Sequence, residues 1–453
     1  MKKKCLYLPI EIKPREFSSK VALAHEAASR GFRCYIGNKS SINTLLRQKK
    51  KRGGVYLYKG GMLGQDIESI LDKCGSFMVL DEEMGPAITD WSRIGLRLAT
   101  NTEKFIDRFF VIGDKAAQAA RTSYPSLADR IVVSGWPKVD IWRSQLKDSL
   151  YANEVNKIRK KYGDFVLFSS DFGVLSSDGK ERIVEQHRSA KGYDNTIDFS
   201  YKLPELIDAQ IEEFEKFLAL LHEIDGRLEM PLVIRPHPAE EQEIWHEVAT
   251  NFKQISVVYE GEISPWLYSS RGILHRGCTS AVQAYMGCVR SGYIVPNGLP
   301  YRDGLPFALS EALSDVQEVV DFCSYRRREE GVKTFELKTP EYNDLNNTIA
   351  IGNLSACKLI IDEISKVDVE PEVDLARDKL LVLRLESSIK KVVRMLMKTL
   401  RSNKNEKFAV ASEKQKMQDG VTCNEVQSLI NNLSTENNIV VTEITDGLVC
   451  IQG

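Results

Sequence analysis

No stretch of this sequence approaches the roughly 18–20 consecutive apolar residues that a membrane-spanning helix requires. The opening segment, "MKKKCLYLPIEIKPREF", places only "CLYLPI" between its lysines and the next charges. That is too short for the apolar core of a secretory signal, so Lys2–Lys4 read as the lead into a first β-strand. Net charge is lacking too: 62 basic residues face 63 acidic ones, for a formal −1. Bulk electrostatics give no reason to expect nucleic acid as a partner. Nine cysteines are scattered over 453 residues with no CxxC pair. An odd count in a chain long enough to fold without staples predicts free thiols in a reducing cytoplasm. No GxGxxG and no GxxxxGK[ST] occurs, which removes the dinucleotide and P-loop readings. No His, Cys and Asp residues fall at metal-ligand spacing, so no metal is expected.

What is present is an ordinary globular composition, 43% hydrophobic and 28% charged. The length predicts two or three domains. The first third alternates short β-branched or aromatic runs with amphipathic segments. "KCLYLPI", "RCYIG", "GVYLYKG", "SFMVL", "RFFVIG" and "RIVVSG" read as strands, and "SSKVALAHEAASRG" as a helix ending at Gly31. Such alternation means βα units on a parallel sheet, whose strands are near-continuously apolar because both faces are covered. The pattern pauses after residue 145 and restarts at "FVLFSSDFG". It continues through "LVIRPHP", "QISVVYEGE", "GILHRGCTSAVQAYMGC" and "SGYIVPNG".

Two successive Rossmann-like parallel-sheet domains facing a cleft predict an α/β fold of GT-B type. The expected divisions are an acceptor-side domain over 1–145, a nucleotide-sugar donor domain over 146–368, and a helical, partly flexible extension over 369–453. Within the extension, "EVDLARDKLLVLRLESSIKKVVRMLMKTLRSNKNEKF" combines an apolar stripe with Lys390, Lys391, Arg394, Lys398 and Arg401. That helix suits packing, oligomerisation, or an anionic membrane surface.

Ligands of open α/β sheets sit beyond the carboxyl ends of strands, so the loops after strands carry the candidate chemistry. In "VIRPHPAEE", Pro236 and Pro238 stop the strand at Arg235 and hold His237 in a stiff loop. An imidazole there can donate to a phosphate oxygen. In "GILHRGCTS", His275 ends a strand, Gly277 opens a turn, and Thr279 and Ser280 stand where a helix begins. Hydroxyls and free N–H groups at such a position suit an anion, although ordinary N-capping accounts for the same residues. "VLDEEMG" puts Asp81, Glu82 and Glu83 at a strand exit of the first domain, and "FSSDFG" does the same for Asp171 in the second. Such carboxylates serve as a general base or a nucleophile, or as solvated turn residues. "PIEIKPREF" adds Glu11, Arg15 and Glu16 after the first strand.

Acidic "DEE" before a glycine, "RPHP", and "CTS" at a helix start occur in this order. The arrangement resembles bacterial GT-B glycosyltransferases that use CMP-activated ulosonic acids, the bacterial sialyltransferases and Kdo transferases. "LYLPIEIKPREFSSKVALAHEAASRGF", "VIGDKAAQA" and "VSGWPKVDIW" look more specifically like surface carbohydrate biosynthesis proteins of O-antigen and capsule clusters. The resemblance covers about residues 5–365. It implies that His237, Thr279 and Ser280 hold the CMP phosphate, and that Asp81, Glu82 or Glu83 supplies the acceptor-activating base. Met84, between "DEE" and Gly85, departs from the family motif and leaves the choice open, with Glu83 favoured as nearest the glycine. Asp171 stands as the candidate nucleophile of a retaining route. Arg235 and His275 complete the expected donor set.

The expected function is therefore transfer of an ulosonic or nonulosonic acid (Kdo, sialic, legionaminic or pseudaminic type) from a CMP donor to a surface-glycan acceptor. No cofactor is expected. The expected setting is cytoplasmic, with peripheral contact to the inner membrane through the basic helix, and homo-oligomerisation is an option. Alternatives are a CDP-polyol phosphotransferase, an NDP-sugar 2-epimerase, or a non-catalytic scaffold of a polysaccharide assembly complex.

Overall fold

The computed structural model describes residues 3–49, 52–60, 64–86, 90–99, 102–172, 203–237, 240, 242–295, 304–324, 339–352, 355–370, 382, 384–385, 388–389, 420–433 and 438–453. The insert 174–202 and the basic residues from Lys390 to Arg401 lie outside them. The chain divides into two compact units, Met1–Leu150 with Asn343–Gly453, and Tyr151–Tyr342.

The first unit is built on β1 (Cys5–Ile10), β2 (Arg33–Asn38), β3 (Val55–Tyr58), β4 (Ser76–Leu80), β5 (Arg108–Val111) and β6 (Ile131–Val133). These six strands are parallel, and every residue of β1, β3 and β4 is buried. Helix α1 (Lys13–Ser29) follows β1 and carries Pro14 in its first turn, where a missing N–H costs nothing. The Glu16 carboxylate reaches back to accept the N–H groups of Glu11 and Ile12, at 3.0 and 3.1 Å, the backward half of a capping box, with Ile12 at the N-cap making no side-chain bond. The helix ends as the sequence predicts. Gly31 adopts φ +84, its N–H bonds Ala28 O, and the Phe32 N–H bonds Ala27 O, the paired bonds of a Schellman motif.

The end of the chain returns to this unit. Helix Cys423–Leu433 is followed by a hairpin, β13 (Val440–Thr445) and β14 (Leu448–Gln452), and β14 pairs antiparallel with β2. The sheet order is β13-β14-β2-β1-β3-β4-β5-β6. The expected extension is thus helical only in part, because its last residues form two strands. Two glycines permit the junction. Gly447 takes φ +75 in the Asp446-Gly447 turn, and a Cβ on Gly37 would stand 2.3 Å from Gly447 O. The β-branched, alternating "VVTEIT" and the Asp-Gly pair are a hairpin signal.

The second unit contains β7 (Val166–Ser169), β8 (Leu232–Arg235), β9 (Ile255–Val257), β10 (Ile273–His275), β11 (Ser291–Ile294) and β12 (Glu311–Leu313) in the order β12-β11-β10-β7-β8-β9, all parallel. Phe168 and Phe217 stack at 4.4 Å, and Phe172 and Trp245 close the same core. Two Rossmann-like parallel-sheet units in succession make this a GT-B-like fold.

Each sheet reverses its strand order once. In the first unit the chain passes from β2 on one side of β1 to β3 on the other. In the second it passes from β9, beyond β8, to β10 on the far side of β7. These are the topological switch points, where the loops after adjacent strands run apart and leave a crevice at the carboxyl edge.

Candidate functional site

At the second unit's switch point, register places three loops side by side. His275 pairs with Ser169, and Ser169 pairs with Arg235. Two residues further on, Gly277, Asp171 and His237 leave the sheet at one level, on strands spaced about 4.8 Å apart. Gly277 has φ +111, a conformation that favours glycine. Its N–H donates to His275 Nδ1 at 3.0 Å. The proton of His275 is therefore on Nε2, which meets Ser310 Oγ at 2.8 Å. His275 is fully buried, and burial pushes its pKa down to about 3. It is a neutral strut that sets the Gly277 turn, and neither nitrogen is available to a ligand. Thr279 occupies the N-cap position of helix Ser280–Met286, but with helical φ and ψ and no side-chain capping bond. The N-capping alternative therefore does not account for its hydroxyl. Ser280 Oγ is engaged with Cys278 Sγ.

Asp171 is not a free carboxylate. Arg276, only 3% exposed, bonds Asp171 Oδ1 at 3.0 Å, pairs with Glu213 of helix Leu203–Ile224, and lies over the Phe172 ring at 4.0 Å. The charge of Asp171 is thus committed to a buried guanidinium, and the arrangement gives no support to a nucleophilic role. Arg235 is likewise spent within the fold. Its guanidinium donates to the carbonyls of Glu260 and Gly261 and faces Trp266 at 5.3 Å. Burial pulls its pKa down to about 10. It ends β8 and fastens the loop after β9. His237 is half-buried at the same edge.

The first unit's switch point is a knot of charge. Lys59, just past β3, meets Glu16 at 2.9 Å, Glu11 at 3.2 Å and Glu83 at 3.6 Å. Burial opposes its ammonium, but Glu16, Glu83 and Glu11 together raise its pKa. The three acidic residues after β4 have three different surroundings. Asp81 is buried, accepts the N–H groups of Glu83 and Met84, and pairs with Arg97 at 2.9 Å. It makes the turn, and burial raises its pKa. Glu82 is buried and accepts the Trp136 indole N–H at 3.0 Å. Glu83 alone is substantially open, its side chain 33% exposed, 3.7 Å from Arg15. Burial pushes its pKa up, but Arg15, Lys59 and further cations outweigh it and hold the carboxyl below its usual range. Met84 packs into the unit's core, which explains the extra residue before Gly85: it anchors the turn while Glu83 stays outside.

No family model and no curated protein matches this chain. Among solved structures it is similar to the Methanocaldococcus jannaschii UDP-GlcNAc 2-epimerase in complex with UDP-GlcNAc and UDP, at 11% identity and TM-score 0.48, over 80% of this chain and 99% of that one. It is similar to the S. aureus MnaA–UDP structure at 13% identity and TM-score 0.45, over 83% and 100%. The wall teichoic acid polymerase TagF follows at 8% identity and TM-score 0.39, over 69% and 72%. Likenesses at this level transfer no activity and no residue role.

Four residues that spacing did not single out complete the two edges. Arg276, buried, and Lys59, half-buried, are the cations that organise them. Lys138, after β6, has its ammonium over the Trp136 ring at 5.0 Å. Burial lowers its pKa despite the nearby Glu82. Glu240, three residues after His237, is buried, and burial raises its pKa to about 7 although Ser170 and Trp245 hydrogen-bond it. Each follows a strand directly or within one loop, a signal that was readable. Which of several loop charges folds inward was not. Among the described residues no helix is long and apolar enough to cross a membrane. All nine cysteines lie among the described residues and none is in a disulfide.

Proposed function

We propose that this protein is a glycosyltransferase that takes an ulosonic or nonulosonic acid from a CMP donor and passes it to a surface-glycan acceptor. The second unit holds the donor and the first recognises the acceptor. The observation that carries the reading is the switch point of the second sheet. There His237 and Thr279 stand on the loops after β8 and β10, either side of the loop after β7, while Arg235 and His275 are occupied in building those loops and Asp171 is paired with Arg276. His237 brings an imidazole, and Thr279 a hydroxyl that makes no capping bond; both can donate to phosphate oxygens. His237 and Thr279 bind the phosphate of the nucleotide, and His237 stabilises the charge that develops on the leaving CMP. In the first unit Glu83 is the partly exposed carboxylate that accepts the acceptor hydroxyl's proton. Arg15 and Lys59 keep it ionised and aimed.

The test is nucleotide binding by calorimetry with CMP and UDP, together with the His237→Ala protein. CMP binding that is lost in His237→Ala with an unchanged circular dichroism spectrum supports the reading. UDP binding with no CMP binding overturns the donor assignment, and unaltered CMP affinity in His237→Ala overturns the site.

A further inference from the structure

We propose that Glu240 is a positioning residue for His237, locking the loop after β8 onto the loop after β7. The inference rests on the assignment of His237 to the donor phosphate. Glu240 is 3% exposed. Its carboxylate accepts the Ser170 hydroxyl at 2.7 and 2.6 Å and the Trp245 indole N–H at 2.7 Å. Its own backbone N–H donates to His237 O at 2.9 Å. One residue therefore ties together the His237 carbonyl, the exit of β7 at Ser170, and helix Gln242–Ala249 through Trp245. A buried carboxylate costs free energy unless each oxygen is satisfied, and here both are.

The arrangement also explains the spacing in "RPHPAE". The two prolines stiffen the loop, but stiffness alone does not fix where the loop lies over the sheet. The buried carboxylate supplies that anchor. The neighbouring charges are accounted for. Asp171 is paired with Arg276, and Arg276 with Glu213. Tyr259, past β9, lies near enough for the Glu240 charge to act on it. Burial holds the carboxyl near neutrality, with a pKa of about 7. A neutral glutamine is thus an isosteric substitute. Its carbonyl accepts from Trp245, and its amide donates to Ser170 Oγ.

The experiment compares Glu240→Gln, Glu240→Ala and Trp245→Phe with the wild type. It measures CMP affinity by calorimetry and backbone amide exchange at His237 and Glu240 by NMR. Expected is a loss of CMP affinity of about tenfold or more in Glu240→Ala, retention within about threefold in Glu240→Gln, and an intermediate loss in Trp245→Phe. Exchange of the Glu240 amide rises in Glu240→Ala without nucleotide present and returns toward wild type in Glu240→Gln. The inference is overturned if Glu240→Ala binds CMP within threefold of wild type while His237→Ala does not bind. If His237→Ala binds normally, the donor assignment has failed, and the exchange data alone decide whether Glu240 anchors the loop. Should Glu240→Ala not fold, Trp245→Phe decides: wild-type affinity and exchange in that variant refute the anchor.

Discussion

Replacing Arg276 by leucine tests the construction of the donor edge. Arg276 is 4% exposed at its side chain and lies between Asp171 at 18% and Glu213 at 6%. Removing the cation leaves two carboxylates facing one another in a poorly solvated site. Breaking a buried ion pair from one side typically costs about 3–5 kcal/mol. The leucine retains part of the packing over Phe172, so the loss is mainly electrostatic. We expect Arg276→Leu to lose about 3–5 kcal/mol in urea unfolding followed by far-UV circular dichroism, as a lower midpoint at unchanged slope. The triple variant Arg276→Leu, Asp171→Asn, Glu213→Gln recovers most of the loss, since it removes the charges together. An Arg276→Leu protein within about 1 kcal/mol of wild type at pH 7 would refute the argument that this ion triad holds the Gly277 loop.

Lys20 is 1% exposed on α1, and its Nζ has no hydrogen-bond partner. Lys20→Met keeps the stem and removes the ammonium, so we expect stabilisation by about 1–3 kcal/mol; destabilisation would mean that the ammonium is needed. Because burial raises the folded-state pKa of Glu240 from its ordinary carboxylate range to about 7, its contribution to stability is complete below its unfolded pKa. That contribution is lost as pH rises through 7. The fall in unfolding free energy between pH 5 and 8 should flatten in Glu240→Gln. Glu83→Gln should lower turnover by about 100-fold or more while leaving CMP affinity unchanged; equal losses in both would reassign Glu83 to structure. Gly37→Val should detach the hairpin, because a Cβ there meets Gly447 O at 2.3 Å; unchanged amide protection in Leu448–Gln452 would contradict the close approach.

The strands were legible because buried parallel strands are written as unbroken apolar runs, as in "CLYLPI" and "LVIR". The end of α1 was legible because Gly31 and the residues before it carry a local code. The loops that carry the candidate chemistry were legible as positions, since they follow those strands. The state of each side chain was not legible. His275 and His237 both follow strands, yet one is sealed and neutral while the other is half-buried. That difference comes from Ser310, which approaches His275 from 35 residues further along the chain. The three carboxylates after β4 differ for the same reason, through Arg97, Trp136 and Lys59. The hairpin at the chain end was hidden because its partner, β2, lies near the other end of the sequence.

That pairing has a consequence for synthesis. β2 leaves the ribosome long before β14. Until β14 arrives, the outer side of β2 offers a row of unpaired N–H and C=O groups, the template that promotes wrong pairing between nascent chains. The second unit has no such dependence, since all its strands lie within Tyr151–Tyr342. The unit that starts first is therefore the one that finishes last, and a ribosome stalled before residue 440 would carry a completed second unit and a first unit with an open edge.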